Sequence, residues 1–218
     1  MMEKLQTPAL STAEIVADTL IAEMLTGSRI LIIKCIDALR TLGPAAITRL
    51  QIAADDETVT LSARSTLRIV SGFIQENGFW ECSDTVVVTA LAHAWRLNRK
   101  PLHSRAKQTI ELLCGPDYVD KLIRVAMDNI GTPNFCVRLL QAVEECGQQP
   151  TAATWMALHC KLSFTDNAHI LDEAARLIDA LTYEGAPLAE GVTPEFFEEF
   201  HYSLMRTPAS APTWDAEL

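Results

Sequence analysis

The sequence predicts a mainly α-helical protein in two parts, with one small β-hairpin in the first part. Apolar residues recur at the three- and four-residue spacing of amphipathic helices along most of the 218 residues. Glycine and proline punctuate these segments and divide them into short helices. One β-branched run, Val86 to Thr89, interrupts the helical pattern and favours a strand. With 49% hydrophobic and 21% charged residues, the composition is that of a globular chain and excludes a disordered one.

The first predicted helix begins at a capping box. Ser11 is followed three residues later by Glu14, so the hydroxyl can accept from the Glu14 backbone N–H while the carboxylate reaches back to Ser11. Thr26 and Gly27 end the apolar-periodic segment. We therefore interpret residues 1–27 as an N-terminal helix and a candidate dimerisation arm.

Three helices, a hairpin and a fourth helix are expected between residues 28 and 98. The helices are predicted at about 28–42, 46–54 and from an N-cap at Ser62 to Asn77-Gly78, whose positive φ ends the last one. The third helix should bury a stripe of Leu67, Val70, Phe73 and Ile74. The strands are predicted at 79–82 and 86–89, joined by the turn 83–85, before a helix at about 90–98.

This order resembles a winged helix-turn-helix domain of the MarR-like and IclR-like bacterial regulators. Two stretches carry the resemblance: "LSARSTLRIVSGFIQENGFWE" at 61–81 and "VVVTALAHAWRLN" at 86–98. The resemblance covers about a third of the chain, and the remainder matches no family pattern that we recognise. It implies that the helix beginning near Ser62 enters the major groove of duplex DNA.

Small polar and basic side chains at the start of that third helix lie off its predicted buried stripe. Arg64 and Arg68 are four residues apart and share one helix face, where arginine can bond guanine or phosphate. Basic residues after the hairpin could reach phosphates. The candidate DNA-binding residues are Ser62, Arg64, Ser65, Arg68, Arg96, Arg99 and Lys100. An exposed, solvated helix face is the plain structural reading of the two arginines on the third helix.

The net charge of −10 is unevenly distributed along the sequence. Residues 27–107 carry 11 Lys+Arg and 7 Asp+Glu, a net charge of +4, whereas residues 108–218 carry 6 and 17, a net charge of −11. Residues 1–26 add 1 and 4, a net charge of −3. A mildly basic segment beside an acidic one is typical of a DNA-facing module joined to an interaction module. Asp84, at the predicted wing tip, would repel a phosphate.

The second part should be an acidic, all-helical domain at about 102–206, followed by a mobile tail at 207–218 that is rich in proline, alanine and acid. Helices are predicted at 102–114, 116–130, 134–146, 152–162, 166–184 and 194–205, the last one with Thr193 as N-cap. Its larger apolar residues either pack this domain's own core or anchor an interface. Those residues are Trp155, Met156, Phe196, Phe197 and Phe200.

The sequence contains no motif that is typical of catalysis, of cofactor binding or of metal binding. There is no glycine-rich phosphate loop, no GxSxG and no HExxH, so we do not expect an enzyme. The six cysteines form no CxxC pair and are expected to be reduced, small hydrophobes. The start of the chain has no signal-peptide core and no apolar run could span a bilayer, so we expect a cytoplasmic protein without membrane contact.

Two functions remain open at this point. The first is a DNA-binding regulator of transcription or of a mobile element, reading duplex DNA through the Ser62–Ile74 helix, with a second half that forms a homodimer or binds a partner. The second is a non-catalytic subunit of a bacterial multi-protein complex, with the winged helix and the acidic domain making protein contacts. Neither requires a cofactor.

Overall fold

The computed structural model describes residues 10–81, 83–95, 100–182, 188 and 190–205, except for the side chains of 100–104 and 205. This part of the chain is mainly helical and contains no strand. It divides into two compact units, 1–116 and 117–218, so the boundary lies beyond the predicted one at 98–102. The helices are α1 Thr12–Thr26, α2 Arg29–Thr41, α3 Pro44–Asp55, α4 Leu61–Asn77, α5 Asp84–Trp95, α6 Lys100–Cys114, α7 Tyr118–Asp128, α8 Pro133–Cys146, α9 Ala152–Leu162, α10 Ala168–Leu181 and α11 Pro194–Met205.

In the first unit, α1 packs against several helices at once. It contacts α2, α3, α5 and α6, and its Val16, Ala17 and Leu20 are fully buried. The predicted capping box is confirmed: the Ser11 backbone N–H donates to the Glu14 carboxylate at 2.8 Å and the Glu14 N–H donates to the Ser11 hydroxyl at 3.3 Å. Because α1 is part of the core of its unit, the structure gives no support for treating it as a separate arm.

The predicted β-hairpin is wrong. Val86, Val87 and Val88 lie in α5, which begins at Asp84, and residues 79–81 have no regular structure. Most residues of α5 are buried, including Val87, Val88 and Trp95, because α5 packs against α2, α6 and α1. A helix surrounded on several sides needs apolar residues all round, so burial outweighs the β-propensity of the valines. In the part that the structure describes, the first unit is therefore helical and has no β-hairpin where the wing was expected.

The helix α4 matches the prediction at its end and differs at its start. Gly78 adopts φ 75°, and its N–H donates to the Ile74 carbonyl, which confirms the predicted stop. The N-cap is Thr60, whose hydroxyl accepts from the Ala63 N–H at 3.3 Å, and Ser62 lies inside the helix. Leu67, Val70 and Ile74 are buried as expected, whereas Phe73 is 44% exposed.

The second unit is formed by α7 to α11, preceded by a single 3₁₀ turn at Gly115–Asp117. Within it, α8 packs against α7 and α10, α9 against α7, and α11 against α10. The Trp155 and Phe197 rings meet edge to face, with their centroids 5.1 Å apart, which joins α9 to α11. The predicted start of α11 at Pro194 is confirmed, with the Phe196 N–H donating to the Thr193 hydroxyl.

Candidate interaction site

The start of α4 is positioned by α3, against which it packs closely. Ser62 and Ser65 are exposed, and Arg64 is half-buried. Arg64 lowers the pKa of Asp56, though less strongly than the hydrogen bonds from Thr58 do. Arg64 therefore lies near the α3–α4 connection.

Arg68 bonds the end of α3. Its guanidinium group donates to the Asp55 carboxylate at 3.3 Å and to the Ala54 carbonyl at 3.4 Å, with both bonds made by the same terminal nitrogen. Its side chain is 64% exposed, so this ion pair is solvated and contributes little to stability. Reaching a DNA groove would require Arg68 to exchange these contacts.

The candidate residues after the predicted hairpin are not brought to α4 by any described contact. Arg96 and Arg99 lie outside the described residues. The Lys100 backbone opens α6, and its side chain is also outside the described part. Of the seven predicted DNA-binding residues, the structure thus places Ser62, Arg64, Ser65 and Arg68 on a single helix.

A different surface is prominent at the other end of α4, and sequence reasoning missed it. We call it the aromatic corner: Arg40 with Ile69, Phe73, Phe79 and Trp80. The four apolar side chains are 69%, 44%, 45% and 43% exposed, in that order. Ile69 and Phe73 are four residues apart and so adjoin on α4. The Arg40 guanidinium carbon lies 5.7 Å from the Phe73 ring centroid and 4.1 Å from that of Trp80.

Arg40 holds the aromatic corner together. Its Nε donates to the Gly78 carbonyl at 3.2 Å and an Nη nitrogen to the Asn77 carbonyl at 3.1 Å, while the Arg40 carbonyl accepts from the Trp80 N–H at 3.2 Å. These bonds tie the end of α2 to the end of α4, where carbonyl groups lack helical partners. The exposed aromatic rings are thereby held in a fixed place rather than on a loose loop.

The net charge of the first unit differs from that of the predicted basic segment inside it. Residues 1–116 carry 12 Lys+Arg and 12 Asp+Glu, a net charge of zero, and residues 117–218 carry 6 and 16, a net charge of −10. The predicted basic segment therefore belongs to a unit that is neutral as a whole. A neutral unit lacks the overall positive charge that draws proteins to DNA phosphates.

Burial shifts the pKa of two ionisable groups inside the first unit. Desolvation raises the pKa of Glu23, a residue that is only 3% exposed, and Arg105 partly opposes the shift. Among the described residues, Glu23 Oε1 has no hydrogen-bond partner. Desolvation lowers the pKa of His93 to about 4, with a smaller contribution from Lys34. Glu23 belongs to the core of the first unit, and His93 is half-buried.

The candidate interface residues of the second unit divide into two groups. Trp155 and Phe200 are fully buried and Phe197 is 5% exposed, so they form this unit's core. Phe196 is half-buried and contacts the same cluster, with its ring centroid 5.8 Å from that of Phe200. Met156 alone of the five is exposed, at 60%. Core packing, one of the two readings proposed, therefore accounts for the three phenylalanines and Trp155, and Met156 lies on the surface.

One hydroxyl among the described residues lies within hydrogen-bond distance of a histidine ring. Ser203 lies 3.1 Å from the Nε2 of His159, but its hydroxyl donates to the Phe200 carbonyl at 2.7 Å. The Ser203 hydroxyl proton is therefore directed to the backbone and not to His159. In the same part of the chain, no group of three or more His, Cys, Asp or Glu residues is placed to hold a metal ion.

Comparison with known proteins identified no relative of the chain. No protein-family model, curated protein or solved structure matches the chain. Among the described residues, no helix combines the length and apolarity needed to cross a membrane.

Proposed function

We propose that the chain is a non-catalytic subunit of a protein complex that binds its partner through the aromatic corner. The observation that carries this proposal is the group of exposed apolar side chains around Arg40. The Arg40 guanidinium lies over the Phe73 and Trp80 rings, Ile69 adjoins Phe73 on α4, and Phe79 precedes Trp80 in the chain. Aromatic residues and arginine are enriched at the centres of protein interfaces, and arginine, tryptophan and tyrosine dominate their binding energy.

The construction of the corner supports the proposal. Holding large apolar rings in water costs free energy unless another surface covers them. Arg40 fixes the rings before a partner arrives, and a pre-ordered surface loses less conformational entropy on binding. The acidic second unit, with its net charge of −10, favours a partner that also carries a basic region.

The test is quantitative capture from the native host with the full chain as bait. The double variant Ile69→Ser/Phe79→Ser removes two outward side chains and leaves the Arg40–Trp80 contact in place. Its matched control is Phe164→Ser in the second unit, where an 85% exposed side chain is removed. We expect a stoichiometric partner with the wild type and the control and its loss with the double variant. Equal capture by all three chains would overturn the proposal.

DNA binding through α4 is the second candidate, and one observation favours it. α3 and α4 pack as consecutive helices with Ser62 and Ser65 exposed at the start of the second one, the arrangement a helix-turn-helix uses. Anisotropy of labelled duplex DNA at two salt concentrations tests it. Arg64→Ala/Arg68→Ala should reduce the slope of log K against log salt by about 2, and Arg124→Ala in the second unit should leave it unchanged. The absence of wild-type binding at low salt would exclude this function.

A further inference from the structure

The helix α2 has an apolar face that no helix covers in the described part of the chain. On its inner side, α2 packs against α1 and α5, and its buried residues are Leu31, Cys35, Ala38, Leu39 and Thr41. On its outer side, Ile30 and Ile33 are 65% and 53% exposed. Isolated exposed isoleucines are ordinary, whereas two of them one turn apart on a single helix form a surface that another apolar surface can cover.

Two residues of opposite charge flank Ile33 at equal distances. Arg29 lies four residues before it and Asp37 four residues after it, so the three residues form one row along the helix. Arg29 is exposed and Asp37 is half-buried. Within the described part of the chain, neither side chain makes a hydrogen bond or an ion pair. The row is therefore symmetric in position about Ile33 and opposite in charge at its two ends.

Neither charge is well stabilised by its own chain. Arg29 is the first residue of α2, where the helix dipole disfavours a positive charge and the first turn contains no acidic residue. Desolvation raises the pKa of Asp37, and the nearby charges of Arg40 and Lys34 only partly oppose this shift. A carboxylate facing Arg29 and a guanidinium group facing Asp37 would stabilise both residues.

We propose that α2 forms a homodimer interface, in which the α2 helices of two copies pack antiparallel about a two-fold axis at Ile33. A two-fold axis that pairs one residue with a second also pairs the second with the first. Ile33 therefore meets Ile33 of the other copy, and Arg29 of each copy faces Asp37 of the other. The 13 residues of α2 span only about 20 Å, so the interface is small and its Kd should be about 10–100 μM. This inference does not rest on the proposed function.

Sedimentation equilibrium of the full chain tests whether the dimer forms through this face. The wild type should pass from monomer to dimer over concentrations from about 5 to 500 μM, which bracket the expected Kd. Ile33→Ser should weaken self-association at least tenfold. Its matched control is Ile52→Ser on α3, since Ile52 is 52% exposed and lies outside the α2 face. A wild type that stays monomeric throughout this range, or equal association of the two variants, would overturn the inference.

Charge exchange tests the antiparallel arrangement. In a dimer of Arg29→Asp two carboxylates face each other, and in a dimer of Asp37→Arg two guanidinium groups do, so each variant alone should associate at least tenfold more weakly. Mixing the two variants should restore the wild-type affinity, because both facing pairs of the mixed dimer then carry opposite charges. Arg124→Asp, at an exposed position of α7, is the control and should associate as the wild type does.

The mixture also separates a lost interface from a lost fold, since an unfolded variant could not be rescued by the other one. Wild-type association of both unmixed variants, or a mixture that forms no dimer, would show that Arg29 and Asp37 do not face each other.

The dimer and the aromatic corner can be tested separately. Arg40 lies about 10 Å along α2 from Ile33, at the end of the helix. The corner variant Ile69→Ser/Phe79→Ser should therefore dimerise as the wild type does, even where it captures no partner. Loss of the dimer in that variant would place the interface at the corner and overturn the inference.

Discussion

The guanidinium carbon of Arg40 lies 4.1 Å from the centre of the Trp80 ring, and the same side chain bonds the Asn77 and Gly78 carbonyls. One residue therefore joins α2, the end of α4 and the segment after it. A helix C-terminus, an arginine and two aromatic rings stabilise one another at a surface that remains open to solvent.

Arg40→Ala should lower the free energy of unfolding of the first unit by about 1–2 kcal/mol, since it removes two hydrogen bonds and a cation–π contact at a partly exposed site. Urea unfolding followed by tryptophan fluorescence measures this. Arg40→Lys keeps the charge and loses the planar fork, so it should show an intermediate loss. If Arg40→Ala were as stable as the wild type, the ordering role of Arg40 would be wrong.

The ion pair between α1 and α3 should be the strongest polar tie in the first unit. Arg49 donates to both carboxylate oxygens of Asp18, at 2.7 and 2.6 Å, and the two side chains are only 18% and 22% exposed. Arg49→Met leaves a half-buried carboxylate unpaired, and should cost about 1–3 kcal/mol. The double variant Asp18→Asn/Arg49→Met should cost less than the two single changes added together. Additive losses in urea unfolding would show that the two residues do not couple.

Glu23 should make stability depend on pH in a defined direction. Burial raises its pKa above the ordinary 4.5, so the folded state holds the proton more tightly than the unfolded state. The contribution of protonated Glu23 to the free energy of unfolding is complete below pH 4.5. It is lost as the pH rises through the raised pKa. Glu23→Gln should therefore gain stability over the wild type as the pH rises above 4.5. Parallel stability curves for the two chains between pH 4 and 8 would contradict this.

His93 should lower the stability of the fold at acidic pH, whereas Glu23 lowers it as the pH rises. Its pKa is lowered from 6.5 to about 4, so the unfolded state takes up the proton first. Stability should fall as the pH drops from 6.5 towards 4. His93→Gln should flatten that part of the curve, which chemical denaturation at a series of pH values can measure. A fall of equal steepness in the variant would assign the loss to other groups.

The helix boundaries could largely be predicted from local signals in the sequence. The capping box at Ser11, the positive φ of Gly78 and the Thr193-Pro194 start are all encoded within a few residues. The α5 helix could not be predicted in the same way. Val86, Val87 and Val88 have the β-propensity of a strand, and their helical state is decided by distant helices that pack around them.

The candidate site was only partly accessible from the sequence for a similar reason. Phe73 follows the spacing of the buried stripe, yet the α2–α4 arrangement leaves it half outside, beside Arg40. The pairing of Arg40 with Trp80 joins residues 40 positions apart, which no local pattern reveals. The Phe79-Trp80 pair directly follows the helix-ending Gly78, and this position is a local signal for the surface, although the β-propensity of the two aromatic residues favours a strand.

The most direct test of the central claim is the amount of partner captured by the full chain and by Ile69→Ser/Phe79→Ser, measured side by side under native conditions. The account predicts a stoichiometric partner on the wild type, at least a tenfold loss on the double variant, and no loss on Phe164→Ser. Equal recovery on the double variant, with its fold intact by thermal midpoint, would contradict it.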